Sequence, residues 1–189
     1  MKDRLPGTTI EVDLSRPDAA EALLSPLFLA GGLMLSQVAR LTGLEPYVIQ
    51  NWVRRGYVAP PVKRRYSRRQ FCRIAVINML KDSLQLEKIC ALLSYINGQL
   101  DDESDDLIDD SMLYDGIVHV VSQVGEARIT DAEELRAWCA AALAEYPEPV
   151  PGARARVERV LHIILTAWLA GRLKREAEQL LDNLQETMS

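Results

Sequence analysis

The chain has 189 residues, 48% of them hydrophobic and 26% charged, with 9 prolines and 10 glycines; this excludes disordered and collagen-like classes and supplies enough apolar side chain for a core. The longest apolar run, Leu27 to Leu35, is about half the 18 or more residues needed to cross a bilayer. The net charge of -5 conceals a segregation, because residues 36–75 carry Arg40, Arg54, Arg55, Lys63, Arg64, Arg65, Arg68, Arg69 and Arg73 against Glu45 as their one acid. Such a cluster reads as a footprint for phosphates, or else as a solvated face balanced by acids elsewhere in the fold. No basic, apolar leader opens the chain, so a cytoplasmic protein that leaves membranes alone is expected. Cys72, Cys90 and Cys139 are odd in number and far apart, which argues against a disulfide framework or a CxxC metal clip.

Residues 1–16, with Pro6 and Gly7 as breakers, read as a loose polar lead-in. Residues 17–30 then have helical apolar spacing at Ala20, Leu23, Leu24, Leu27 and Phe28, and Gly31-Gly32 ends the run. Ser36 is a good N-cap for a short helix that closes at Gly43. Pro46 suits a first helical position, so a second helix is expected over 46–55, stopped by Gly56. Two short helices across a glycine turn make a helix-turn-helix outline.

On the second helix Ile49, Trp52 and Val53 share one face, which leaves Tyr47, Gln50, Asn51 and Arg54 on the other. Gln and Asn each offer donor and acceptor to an adenine edge, Arg can fork onto guanine, and Tyr can stack or reach a phosphate. These four are the expected DNA base contacts. Pro60-Pro61 forces an extended course into Val62-Lys63-Arg64-Arg65-Tyr66, a basic strip like a short wing, before Ser67 caps a third helix over 68–81. A fourth follows over 86–96, with Leu86, Ile89, Cys90, Leu93 and Ile96 at helical spacing.

The run Leu35-Ser36-Gln37-Val38-Ala39-Arg40-Leu41-Thr42-Gly43 and the later Arg65-Tyr66-Ser67 resemble the DNA-binding domain of MerR-like transcription regulators. The resemblance covers about residues 35–97 and implies DNA contacts from Tyr47, Gln50, Asn51 and Arg54, and from the wing residues Lys63, Arg64, Arg65 and Tyr66. This wing is several residues shorter than in typical members, and no helix runs straight from the domain into a long dimer coil. A closer likeness runs from Leu35 through Ile96 to Ser104-Asp105-Asp106 and Leu113-Tyr114; here the chain resembles an uncharacterised bacterial family catalogued as domain of unknown function 1836. That likeness implies a DNA-binding fold and supplies no ligand, target or reaction.

Residues 98–110 contain seven acids and no base. A calcium loop, a solvated boundary that leads into an acidic first helical turn, and an autoinhibitory strip that competes with DNA all fit, although the glycine and terminal glutamate of an EF-hand are missing. The remainder reads as helices over 105–124, 131–146 and 151–185, with a Thr130/Glu133 capping box. The last would be about 50 Å long at 1.5 Å per residue, against a radius of gyration near 16 Å for a compact chain of this length. Part of it should protrude or meet another chain. His119, His162, Trp138 and Trp168 are assigned to packing.

The expected fold is therefore all-α, a MerR-like (winged) helix-turn-helix domain followed by a C-terminal helical domain. The parts are a lead-in and covering helix over 1–34, a DNA-binding domain over 35–97, an acidic linker over 98–104 and a dimerisation or effector domain over 105–189. With no P-loop, dinucleotide fingerprint, HExxH or activated nucleophile, we expect no enzyme, metal or cofactor. The expectation is a transcription regulator on double-stranded DNA, with Arg40, Lys63, Arg64, Arg65, Tyr66, Arg68 and Arg69 on its backbone. A single recognition helix reads about three or four base pairs, too few for a genome, so a homodimer is expected, with a small-molecule effector possible. The alternative is an interaction module whose basic face grips an acidic protein.

Overall fold

The computed structural model describes residues 3–14, 19–100, 102–124 and 132–187. It is an all-α protein with two short antiparallel strand pairs. In chain order the elements are β1 (Asp3–Arg4), β2 (Glu11–Val12), α1 (Ala19–Phe28), β3 (Leu33–Met34), α2 (Leu35–Thr42), α3 (Pro46–Arg54), β4 (Arg65–Tyr66), α4 (Arg68–Leu80), α5 (Leu86–Asn97), a 3-10 turn (Glu103–Asp105), α6 (Asp110–Val124), α7 (Ala132–Ala142) and α8 (Ala153–Thr187). Among the described residues no helix is long and apolar enough to cross a membrane.

Helix α4 is the centre of the packing. Residues 71–77 are buried all round because α2, α5, α6 and α8 each lie against a different side of it. Ser67 caps it as the sequence suggests, accepting from the Gln70 N–H while the Gln70 side chain accepts from the Ser67 N–H at 2.8 Å. The core is continuous across residues 98–104: Phe71, Ile74 and Ile77 of α4 belong to the same cluster as Leu113, Tyr114 and Ile117 of α6 and Leu161 and Ile164 of α8.

Three expectations need correction. Residues 3–12 form a β-hairpin instead of a loose lead-in, with Asp3 opposite Val12 and Arg4 opposite Glu11. Leu5 and Val12 are buried, the Asn78 side chain donates to the Gly7 carbonyl, and the Tyr114 hydroxyl donates to the Pro6 carbonyl at 2.7 Å. Helix α6 starts at Asp110 instead of residue 105. Asp105 accepts from the Gln99 N–H, the Leu107 N–H donates back to Ile96, and Asp109 takes the cap position by accepting from the Ser111 N–H. The Thr130 cap lies outside the described residues. His119 is exposed, contrary to its assignment to packing, while Cys72, Cys90 and Cys139 are all buried free thiols.

Candidate nucleic-acid interface

Helix α2 begins two residues earlier than a cap at Ser36 would give. Met34 is the extended cap, and its N–H donates to the Gln37 side chain at 2.8 Å, the half of a capping box that a glutamine three residues into the helix can supply. Val38, Ala39 and Thr42 face the core, Gly43 ends the helix at φ 70°, and Arg40 remains exposed. Pro46 then opens α3, whose Ile49 and Trp52 are buried. These two anchors turn the opposite face outward. Tyr47 is 69% exposed, Gln50 and Arg54 are exposed, and Asn51 is half-buried. The Arg54 guanidinium donates to Asn51 Oδ1 at 3.0 Å, so that oxygen already accepts a hydrogen bond while the Asn51 amide N–H groups are its outward donors.

The basic strip after Pro60-Pro61 is a tight hairpin. Gln70 Nε2 donates to the carbonyls of Ala59 and Pro60, and the Arg65 N–H donates to Val62 at 2.9 Å, closing a two-residue turn over Lys63 and Arg64. Both tip residues have positive φ, 50° and 64°, where side chains other than glycine, asparagine and aspartate are strained. The returning strand β4 pairs with β3, Leu33 opposite Tyr66 and Met34 opposite Arg65. Arg65 also donates to the Gly32 carbonyl at 2.9 Å. The strands thereby hold the wing against the start of α2. Gln50 and Val53 of α3, Leu35 and Ser36 of α2, and Arg64 of the wing line one groove of about 590 Å³.

Three of the residues expected on DNA are buried or already paired within the chain. Tyr66 is only 3% exposed, because strand pairing turns its ring into the core. Arg68 pairs with Glu21 at 2.5 Å and with Asp115 at 3.2 Å. Arg69 pairs with Asp106 at 2.5 Å and sits within 3.8 Å of Asp109 and Asp110. Both arginines occupy the first turn of α4, on the side that α6 covers; α1 and α6 supply the counter-ions of Arg68, and the acidic segment supplies those of Arg69. Sequence reading placed acids and bases correctly but could not pair them across 37 to 47 positions. Arg55 pairs with Glu87 at 2.7 Å and covers the Tyr57 ring. Arg40, Arg54, Lys63, Arg64 and Arg65 are exposed and form no ion pair among the described residues.

The geometry defines a helical protein with a hairpin-flanked pair of short helices and a largely apolar groove whose lining includes Gln50 and Arg64. Residues 32–117 match the family model described as Domain of unknown function (DUF1836). That match runs from Gly32, under the wing, to Ile117 in α6, so it takes in Arg69 and Arg73 of α4 with the acids that pair with them, while Glu21, a partner of Arg68, lies outside it. No curated protein and no solved structure matches the chain.

Proposed function

We propose that this chain is a sequence-specific DNA-binding transcription regulator that acts in the cytoplasm as a homodimer on double-stranded DNA. In this reading α3 enters the major groove, Tyr47, Gln50, Asn51 and Arg54 meet base edges, and Arg40, Lys63, Arg64 and Arg65 hold phosphates. Arg68 and Arg69 leave that set, since carboxylates of the same chain already hold them. The observation that carries the reading is the shared groove, whose lining includes both Gln50 of the outward helix face and Arg64 of the strained wing tip. The resemblance of residues 35–43 and 65–67 to MerR-like regulators supports the same assignment.

The test is selection of bound fragments from random DNA followed by a salt titration. A homodimer that neutralises about four phosphates per protomer should select a two-fold site and give a log-log salt slope near -7. Binding without sequence preference, matched by binding to acidic polypeptides, would instead support the interaction-module reading.

A further inference from the structure

The wing hairpin borders two cavities. Arg64 and Tyr66 line the groove that also contains Gln50, whereas Lys63 and Arg65 line a second cavity of about 580 Å³ that reaches from the wing to α4. The two share no lining residue. Strand alternation accounts for the division, since Arg64 and Tyr66 point to one side of the returning strand and Arg65 and Ser67 to the other. The volume of the second cavity falls within the range of about 300–1,000 Å³ usual for small-molecule sites.

This second cavity is rich in bases. Its lining includes Lys63, Arg65, Arg69 and Arg73 against Asp110 as its one acid. Arg69 is held by Asp106, with Asp109 and Asp110 close by. Lys63 and Arg65, in contrast, are exposed and form no ion pair among the described residues. Arg73 is buried, with Nε on the Tyr57 carbonyl and Nη1 on Asp110, and its Nη2 has no acceptor among the described residues. Ser67, the cap of α4, is also in the lining, so the positive end of that helix dipole lies at the cavity. Part of the wall is apolar, formed by Pro60, Val62 and Leu100, and Val62 is 73% exposed.

We propose that this cavity binds a small phosphate monoester, its phosphate among Lys63, Arg65 and Arg73 and its uncharged body against Pro60, Val62 and Leu100. Two unpaired cations, a spare guanidinium nitrogen and a helix N-terminus suit a group close to dianionic at neutral pH, as a phosphate monoester is and a single carboxylate is not. The cavity is larger than a bare phosphate fills, and its apolar wall gives the rest of the molecule something to cover. Lys63 and Arg65 also belong to the phosphate contacts proposed for DNA, so the test contains no DNA, and its outcome leaves that reading where it stands.

Isothermal titration of the full chain with phenyl phosphate should show saturable binding to one site, tighter than that of inorganic phosphate, while phenol alone gives none. Lys63→Gln and Arg65→Gln should each weaken phenyl phosphate by about tenfold or more, whereas Arg64→Gln, one position away but in the other groove, should change it by less than about twofold. Lys63 donates to no group of the chain among the described residues, so Lys63→Gln keeps the test sound even if Arg65→Gln, which loses the bond to Gly32, disturbs the wing. Val62→Ser should weaken phenyl phosphate and leave inorganic phosphate unchanged. No saturable binding at millimolar phenyl phosphate would overturn the site. Equal losses in Arg64→Gln and Arg65→Gln would reduce it to diffuse attraction by a basic surface, and equal affinities for phenyl phosphate and inorganic phosphate would remove the ester.

Discussion

The Arg73 guanidinium lies 3.3 Å from the Asp110 carboxylate, and the two side chains are only 3% and 2% exposed. Arg73 also donates through Nε to the Tyr57 carbonyl at 2.8 Å, while Asn97 donates to Asp110 at 2.9 Å. The pair thus ties α4, the turn after α3, α5 and α6 together at one buried point. Removal of Asp110 strands Arg73 in a low-dielectric site, and removal of Arg73 leaves Asp110 only the longer contact to Arg69 at 3.6 Å. Arg73→Met should therefore cost about 3–5 kcal/mol in urea unfolding, and Arg73→Met combined with Asp110→Leu should cost less than the two single changes summed. Additive losses would mean that the two groups are not coupled.

Asp106 gives a pH dependence. Burial pushes its carboxyl up to about 6, although Arg69 at 2.5 Å and its positive charge pull the other way, and the nearby carboxylates of Asp110 and Asp105 add to the rise. A carboxyl that titrates higher in the folded state than its unfolded value of about 3.9 binds the extra proton when folded. Its contribution is fully present below the unfolded value and is lost as pH rises through about 6. Burial also raises Asp110 and Asp115, which act in the same direction. Asp106→Asn keeps an acceptor for Arg69 and removes the titration, so it should reduce the loss of stability between about pH 4 and pH 7. Equal pH slopes for the two proteins, measured by urea unfolding, would show that Asp106 carries no such linkage.

Periodicity and caps made most helices legible. Leucine and isoleucine spacing located α2 to α5, Pro46 and Ser67 marked their starts, and Gly43 marked an end, because these signals are local. The outward face of α3 was legible for the same reason, since burying Ile49 and Trp52 fixes where Gln50 and Arg54 point. Nothing local reveals the ion pairs. Arg68 and Arg69 look like any exposed basic run until α6 arrives beside them, and Tyr66 looks like a wing aromatic until β3 fixes which way its strand faces. Two-residue strands carry too little alternation to be seen, which is why the N-terminal hairpin was missed.

That hairpin offers a sharp test of its own. Gly7 sits at φ 70°, and a Cβ there would lie 1.9 Å from the Ala75 carbonyl oxygen of α4. The contact is backbone to backbone, so no side-chain rotation can relieve it. Gly7→Ala should cost about 2–4 kcal/mol, by strain and by lifting Leu5 from the core. A loss below about 0.5 kcal/mol, the range of ordinary surface changes, would show that the hairpin is not docked on α4.

Stability and function should part company at the wing tip. Lys63 and Arg64 hold positive φ in a two-residue turn, a conformation that Asn-Gly adopts with little strain and that costs other residues on the order of 1 kcal/mol each. Replacing the pair by Asn-Gly should therefore stabilise the fold by about 1 kcal/mol or more in urea unfolding. The same change removes two cations from the wing tip, of which Arg64 lines the groove shared with Gln50. If these side chains hold phosphates, the variant should bind every DNA sequence more weakly, lower the magnitude of the salt slope by about 2 per protomer, and leave the selected sequence unchanged. Gln50→Ala should do the reverse, altering sequence preference while the salt slope stays put. A variant that is more stable and binds DNA as tightly as the wild type would show that the strain at Lys63 and Arg64 serves some other purpose, and the phosphate role would pass from the wing tip to Arg40 and Arg65.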